Sequence, residues 1–268
     1  MQRQDRIVER VHQEGYTSVE DLASVFGVTP QTIRRDIGIL QDEGRLRRYH
    51  GGAATVSTVE NMAYTTRQVL CQDEKRAIAR HVASLVPDSA SLILNIGTTT
   101  EEVARALVAS RAGLRIITNN LNVAAILQGK RDFEVYAAGG LVRHRDGGIV
   151  GESALEFMRQ FKVDIAIIGI SGIDADDGAL LDYDFREVQV SRQIMASARQ
   201  TWLVADHTKF GRNATVRLCS LADIHALVTD RKPPDNLAAL MAAAGRLIHV
   251  APVADRAAER GLARAERR

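Results

Sequence analysis

Only two cysteines, Cys71 and Cys219, occur in the 268 residues. They offer neither a metal-ligand spacing nor a disulfide framework, which excludes zinc-ribbon and disulfide-stapled classes and fits a reducing compartment. Aromatic residues make up 4% of the chain, so the core must be built from Ala, Val, Ile and Leu, and the 46% hydrophobic content supplies them. No apolar run reaches the 18 or so residues of a membrane span. The N-terminal MQRQDRIVERV has no apolar signal core. Both absences argue for a cytoplasmic protein with no membrane partner. An excess of one charge is also lacking: the formal net charge is +2 and the pI is near 8.6. Within residues 1–52 arginines and acids are equal in number, so bulk charge does not announce a nucleic-acid binder.

Placement says more than the sum. From Thr17 to Gly52 the chain reads TSVEDLASVFGVTPQTIRRDIGILQDEGRLRRYHGG. Ser18 followed by Asp21 has the outline of a capping box, with Asp for the usual Glu, and predicts a short helix with Leu22, Ala23, Val25 and Phe26 on its apolar face. Gly27 ends it, since glycine takes positive φ at low cost. Thr29 then caps a second helix, with Pro30 at its first position, running to about Asp42. Ile33, Ile37 and Leu40 face the first helix, and Gln31, Arg34, Arg35 and Gly38 fall opposite. Two short helices joined by a glycine turn describe a helix-turn-helix, in which Gln pairs with adenine and Arg with guanine in the major groove. The alternation and terminal glycines of residues 45–52 predict a β-ribbon wing lying along phosphates. The candidate DNA face is Thr29, Gln31, Thr32, Arg34 and Arg35 with Arg45, Arg47, Arg48 and His50. The rival reading is an ordinary three-helix domain with a solvated basic face. A helix over residues 3–14, with Ile7, Val8 and Val11 inward and Gly15 at its end, packs behind.

SVEDLASVFGVTPQTIRRDIGIL followed by LRRYHGGA resembles the N-terminal winged helix-turn-helix of the DeoR family of bacterial transcriptional regulators. The resemblance implies operator double-stranded DNA as a partner.

Residues 53–70 lack a clean period and are rich in Thr, Ser and small residues. The expected division is a DNA-binding domain at 1–56, a linker at 57–72, an effector domain at 73–252 and a flexible tail at 253–268. An amphipathic helix opens at Asp73. Strand-like apolar runs follow at 91–96, 114–118, 133–138, 163–170, 201–205, 225–229 and 246–250, separated by helical segments. That pattern indicates an α/β domain with a mainly parallel sheet covered on both faces.

In open α/β sheets ligands bind at the carboxyl ends of the strands. After the first run comes Gly97-Thr98-Thr99-Thr100 and a helix start, a combination of close backbone, hydroxyls and free N–H groups that suits a phosphate; the plain alternative is a capped strand–helix turn. Asn119 and Asn120 follow the second run and can hold hydroxyls. Gly139 and Gly140 follow the third, with Arg143, Arg145 and Asp146 close behind; Gly169, Ser171 and Asp174 close the fourth; Asp206, His207 and Lys209 follow the fifth. His207 beside Asp206 has no His/Cys cluster near it in sequence, so no metal is expected, and no cofactor.

This half also resembles the DeoR family, whose effector domain is similar to the ribose-5-phosphate isomerase fold. The matching stretches are Glu74-Lys75…Ile78-Ala79, IGTTTEEVA, TNN, AGG, Asp164…Gly169 and ADHTKFG. The resemblance implies a sensor for a small phosphorylated metabolite, glycerol 3-phosphate or a sugar phosphate. The balanced charge of residues 1–52 predicts a homo-oligomer, dimer or tetramer, since linked DNA-binding heads gain effective concentration. One departure bears on activity. Related isomerases carry acidic residues at the end of the strand matching 163–170 and a Glu base on the next helix; the matching positions here are Ile168, Ser171 and Arg192. The expectation is a transcriptional repressor that binds its ligand without turnover, against the alternative of a sugar-phosphate isomerase-like enzyme with a DNA-binding appendage.

Overall fold

The computed structural model describes residues 3–14, 16–49, 52–55 and 64–251. They divide into two units, Met1–Leu70 and Cys71–Arg268.

The first unit opens with α1 (Arg3–Glu14), β1 (Tyr16–Ser18), α2 (Val19–Phe26) and α3 (Pro30–Asp42). A hairpin of β2 (Leu46–Tyr49) and β3 (Gly52–Thr55) follows, and then α4 (Tyr64–Val69). Local chemistry sets the helix ends. Ser18 Oγ accepts from Asp21 N at 2.9 Å and donates to Asp21 Oδ2 at 2.6 Å, so Asp21 returns the bond to the hydroxyl. Gly27 turns the chain at φ 63, and Thr29 Oγ1 accepts from Thr32 N. Ile33, Ile37 and Leu40 meet Leu22, Ile7 and Val11 in one core, closed by Leu46 and Ala53 from the hairpin. Val25 was expected on that face but is 47% exposed; the short α2 turns it to solvent. Buried Asp36 on α3 accepts from Arg3 Nε at 2.8 Å and from Gln4 Nε2 at 3.3 Å, which fastens α1 to α3. In the wing β3 lies between β1 and β2, antiparallel to both, with Tyr49 opposite Gly52. Residues 53–70 therefore do not form one aperiodic stretch: their start is a strand, held by ladder bonds that composition does not reveal, and Tyr64–Val69 is helical. Gly15, His50 and the tail from 253 lie outside the described residues.

The second unit opens with α5 (Gln72–Leu85), one residue earlier than expected because Cys71 takes the cap position at φ 52. Then come β4 (Ser91–Leu94), α6 (Thr98–Ser110), β5 (Arg115–Thr118), α7 (Leu121–Leu127), β6 (Glu134–Ala137), the hairpin strands β7 (Leu141–Val142) and β8 (Ile149–Val150), and α8 (Glu152–Arg159). The chain continues through β9 (Val163–Ile168), β10 (Gly172–Ile173), β11 (Ala179–Asp182), α9 (Phe185–Ala196), β12 (Ala198–Val204), β13 (Val216–Ser220), β14 (Ala226–Thr229), α10 (Asp235–Ala243) and β15 (Leu247–Val250). All seven predicted runs form one parallel sheet, ordered β15-β14-β12-β9-β4-β5-β6.

Side chains alternate across it, as strand geometry requires. Leu92, Leu94, Ile165 and Ile167 pack with α5, α6 and α7. Ile93, Ala166, Ile168 and Leu203 pack with α8, α9 and α10. The small antiparallel sheet β10-β11-β13 and the β7–β8 hairpin are additions that the sequence pattern did not reveal. From β4 the order runs outward through β5 to β6, and from β9 it runs the other way to β15. The switch point, where a crevice opens beyond the strand ends, therefore lies between β4 and β9.

Candidate functional site

On the first unit, Gln31, Arg34 and Arg35 are exposed along α3, and Arg48 is exposed on the wing. Arg34 lies 3.7 Å from Glu20 Oε1, a surface pair of little energetic weight that a phosphate or base can displace. Thr29 and Thr32 hydroxyls stand 3.0 Å apart and hold the first turn of α3. Arg45 is engaged otherwise: it donates to Asp5 Oδ1 at 2.8 Å and to Glu43 Oε2 at 3.4 Å, tying the wing base to α1. Arg47 pairs through its backbone with Ala54 in the ladder; its side chain and His50 lie outside the described residues.

On the second unit, the candidate residues follow the carboxyl ends of the parallel strands. Gly97, at φ 155 and ψ 149, lets the chain turn from β4 into α6. The hydroxyl of Thr100 donates to the carbonyls of Asn95 at 2.8 Å and Gly97 at 2.7 Å, so its role is to shape this loop. Thr98 and Thr99 are buried, and among the described residues their hydroxyls have no hydrogen-bond partner. Asn95 holds the neighbouring loop by accepting from Gly169 N at 3.0 Å. Asn119 Nδ2 donates to Ile149 O at 3.0 Å, which fixes the amide with Oδ1 directed elsewhere; that oxygen is buried with no donor among the described residues. Asn120 caps α7 by accepting from Asn122 N at 2.9 Å and approaches buried Glu101. Gly139 and Gly140 are exposed before β7. Asp174 lies in the β10–β11 turn, where its Oδ1 accepts from Asp176 N at 2.8 Å.

Asp206 is buried and accepts from Thr208 N at 3.0 Å. Burial pushes its carboxyl up, but Lys209 and Lys75 outweigh burial and hold it below the usual range. Lys75 is a buried residue of α5 and was no candidate in the sequence reading. Helical phase could have flagged it, since Lys75 shares the inward face of α5 with Ile78, Ala79 and Val82 at i+3, i+4 and i+7. Next door, His207 Nδ1 stands 2.7 Å from Asp230 Oδ2, and His207 N donates to Asp230 Oδ1 at 2.7 Å. The ligating atoms of Glu74, His207 and Asp230 lie within 4.8 Å of one another, a group able to take a cation that is scattered in sequence. Asp230 has positive company of its own, with Arg231 Nε at 3.5 Å.

The hydrogen bond that His207 Nδ1–H donates to Asp230 raises the imidazole above the ordinary 6.5, against burial. A histidine raised in the folded state stabilises fully below its unfolded value and loses that stabilisation as pH rises through the folded value. Between about pH 6 and about pH 8 the thermal midpoint of wild type should therefore fall more steeply than that of His207→Gln. Equal slopes in the two proteins would contradict this pairing.

Besides the candidates Asp174 and Asp206, carboxylates stand at the start of α9, while the three positions matched to the isomerases' acids and base carry none. Arg192, matched to the base, donates to Leu218 O at 3.2 Å and Arg217 O at 2.6 Å. It sits more than a turn along α9, away from the helix start. The α9 start carries Asp184 and Glu187, which with Asp146 surround Arg143 at 3.1, 2.6 and 2.8 Å. Burial, with Asp182 adding to it, pushes the Glu187 carboxyl up to about 7 despite Arg143. Ser171 Oγ donates to Asp182 Oδ1 at 3.0 Å, and Ile168 is fully buried in β9. Burial pushes both thiols up, Cys219 to about 12, which disfavours the thiolate.

A winged helix-turn-helix joined to an open parallel α/β domain with polar residues after its strand ends is the architecture of a ligand-responsive DNA-binding regulator. Residues 3–59 match the DeoR-like helix-turn-helix domain, and residues 70–231 match the DeoR C terminal sensor domain. The chain belongs to the DeoR family. It is 48% identical over 233 residues to the glycerol-3-phosphate regulon repressor of Escherichia coli (strain K12), covering 87% of this chain and 92% of that protein. It is 50% identical over 231 residues to the repressor of the same name from Haemophilus influenzae, covering 86% and 89%. A ribose 5-phosphate isomerase A from Methanocaldococcus jannaschii aligns over 52% of this chain and 55% of that one at 15% identity and a TM-score of 0.38, too distant a likeness to carry an argument. Among the described residues no helix is long and apolar enough to cross a membrane.

Proposed function

We propose that this protein is a transcriptional repressor that binds operator DNA as a homo-oligomer and is released by a small phosphorylated metabolite, glycerol 3-phosphate before any sugar phosphate. One observation carries the ligand class. Thr98 and Thr99, buried residues whose hydroxyls have no partner among the described residues, stand in the first turn of α6 at the switch point, where N–H groups and the helix dipole favour an anion. Lys209 supplies positive charge from the β12 loop, and the donor-less Asn119 Oδ1 is placed to accept from a ligand hydroxyl. The choice of glycerol 3-phosphate rests on the names of the relatives. Oligomerisation follows from the weak charge of the DNA-binding unit, since paired heads gain effective concentration.

Glu187, at about 7, is the observation that favours the rival reading of an isomerase-like enzyme. Its engagement with Arg143 at 2.6 Å, and the relatives' names, favour binding without turnover. A thermal-shift panel of glycerol 3-phosphate, glycerol, ribose 5-phosphate and fructose 6-phosphate, with turnover followed by NMR, decides. We expect glycerol 3-phosphate to shift the midpoint most and to remain chemically unchanged. An equal shift with glycerol would remove the phosphate site, a shift only with a sugar phosphate would remove the named effector, and turnover would establish the enzyme.

A further inference from the structure

Among the described residues of the second unit, Arg212 is a buried arginine without a carboxylate partner. It is 7% exposed, yet among the described residues its guanidinium has no carboxylate and no hydrogen-bond acceptor; its contact is the face of Tyr183, 5.7 Å from the ring centroid. Arginine is almost never buried unless paired, because an uncompensated charge in a low-dielectric site is costly. Arg143, in the same domain and similarly enclosed, has three carboxylates.

The backbone places Arg212 beside the crevice. Its N donates to Lys209 O at 3.3 Å, and Gly211 N donates to Ile173 O at 2.8 Å, which seats this turn on the segment leading out of β9. The seating is close: a Cβ on Gly172 would stand 2.0 Å from Arg212 O and 3.5 Å from Arg212 Cβ. Glycine is required there because the Arg212 backbone occupies the space.

We propose that Arg212 is a ligand-binding residue that takes two oxygens of the effector's phosphate. The proposal rests on the phosphate reading above and deepens it. A phosphate monoester carries about −1.5 to −2 charge near neutrality, and a helix start offers only about half a positive charge. Lys209 and Lys75 share their charge with Asp206. Arg212 supplies the cation that no protein carboxylate neutralises, and its planar fork matches a phosphate edge in a way that lysine does not.

The test uses the full chain as wild type, Arg212→Met and Arg212→Lys, with glycerol 3-phosphate and inorganic phosphate as probes. Thermal midpoints are read with and without probe, and DNA binding is read by anisotropy. Removing an uncompensated buried charge should leave the ligand-free midpoint of Arg212→Met unchanged or raised, a result that a merely structural arginine would not give. The same variant should weaken glycerol 3-phosphate by about 100-fold, Arg212→Lys should restore part of the loss, and DNA binding should be unchanged in both. A lowered ligand-free midpoint, or a full glycerol 3-phosphate shift in Arg212→Met, would overturn the role of Arg212 and leave the phosphate site standing. A wild type unmoved by both probes would overturn the phosphate site and this inference together.

Discussion

The double variant Thr98→Val, Lys209→Ala should bind DNA as wild type does and no longer let go of it. Valine keeps the shape and the β-branching of threonine and removes only a hydroxyl that has no partner among the described residues. Alanine at 209 removes positive charge from the β12 loop while the backbone bond from Lys209 N to Asp206 O remains. Neither change touches the first unit. In wild type a ligand at about 100 times its dissociation constant adds roughly 2.7 kcal/mol to stability. For a domain of this size each kcal/mol moves the midpoint by about 2–4 °C. That shift should vanish in the double variant, and the effector should fail to displace the protein from DNA. Thr100→Val is the control with the opposite signature. Its hydroxyl bridges the Asn95 and Gly97 carbonyls, so the variant should lose roughly 1–3 kcal/mol of ligand-free stability. If the double variant still released DNA on addition of ligand, the anion would have to sit elsewhere.

Arg35→Ala should weaken the preferred DNA site by roughly 1–3 kcal/mol and relax base preference there, because an exposed arginine on the outward face of α3 reads a base edge. The wing arginines should behave differently from Arg35 and from one another. Arg48→Ala removes an exposed charge, weakens all sequences alike and flattens the salt dependence by about one unit. Arg45→Ala breaks the bonds to Asp5 and Glu43, so its loss should register first as a lower midpoint of the DNA-binding unit. Binding isotherms on specific and random duplexes over a range of salt separate the three. Loss of only non-specific affinity in Arg35→Ala would show that α3 does not enter the groove as assigned.

The parts of this molecule that sequence reveals are those set by local chemistry or by burial on two faces. Ser18, Gly27, Thr29 and Pro30 mark helix ends through backbone needs that act within a few residues. The parallel strands stand out because covered strands read as apolar runs, and all seven runs proved to be strands of one sheet. The short strands β7, β8, β10 and β11 span two to four residues, too few for a period to register, and β11 takes its second partner, β13, from further along the chain. The same division holds for the candidate site. Residues that directly follow a strand, such as Gly97–Thr100 and Asn119, could be picked out. Asp230, directly after the run 225–229, and Lys75, on the inward face of α5, were within reach of the same reasoning; the meeting of Arg143 with Asp184 and Glu187 was not, since it depends on how the β7–β8 hairpin packs against the start of α9. Arg192, matched to the isomerases' base, lies more than a turn along α9 with its side chain on β13, a contact that no local pattern announces.

The central claim is that one phosphorylated metabolite uncouples this protein from DNA. A duplex selected by the full chain from a random pool, labelled and held at fixed salt, gives an anisotropy that reports the bound fraction. Titration with glycerol 3-phosphate should bring it to the value of free duplex over the same concentrations that raise the thermal midpoint, while glycerol leaves it unchanged. An anisotropy that stays at the bound value after the thermal shift has saturated would contradict the account.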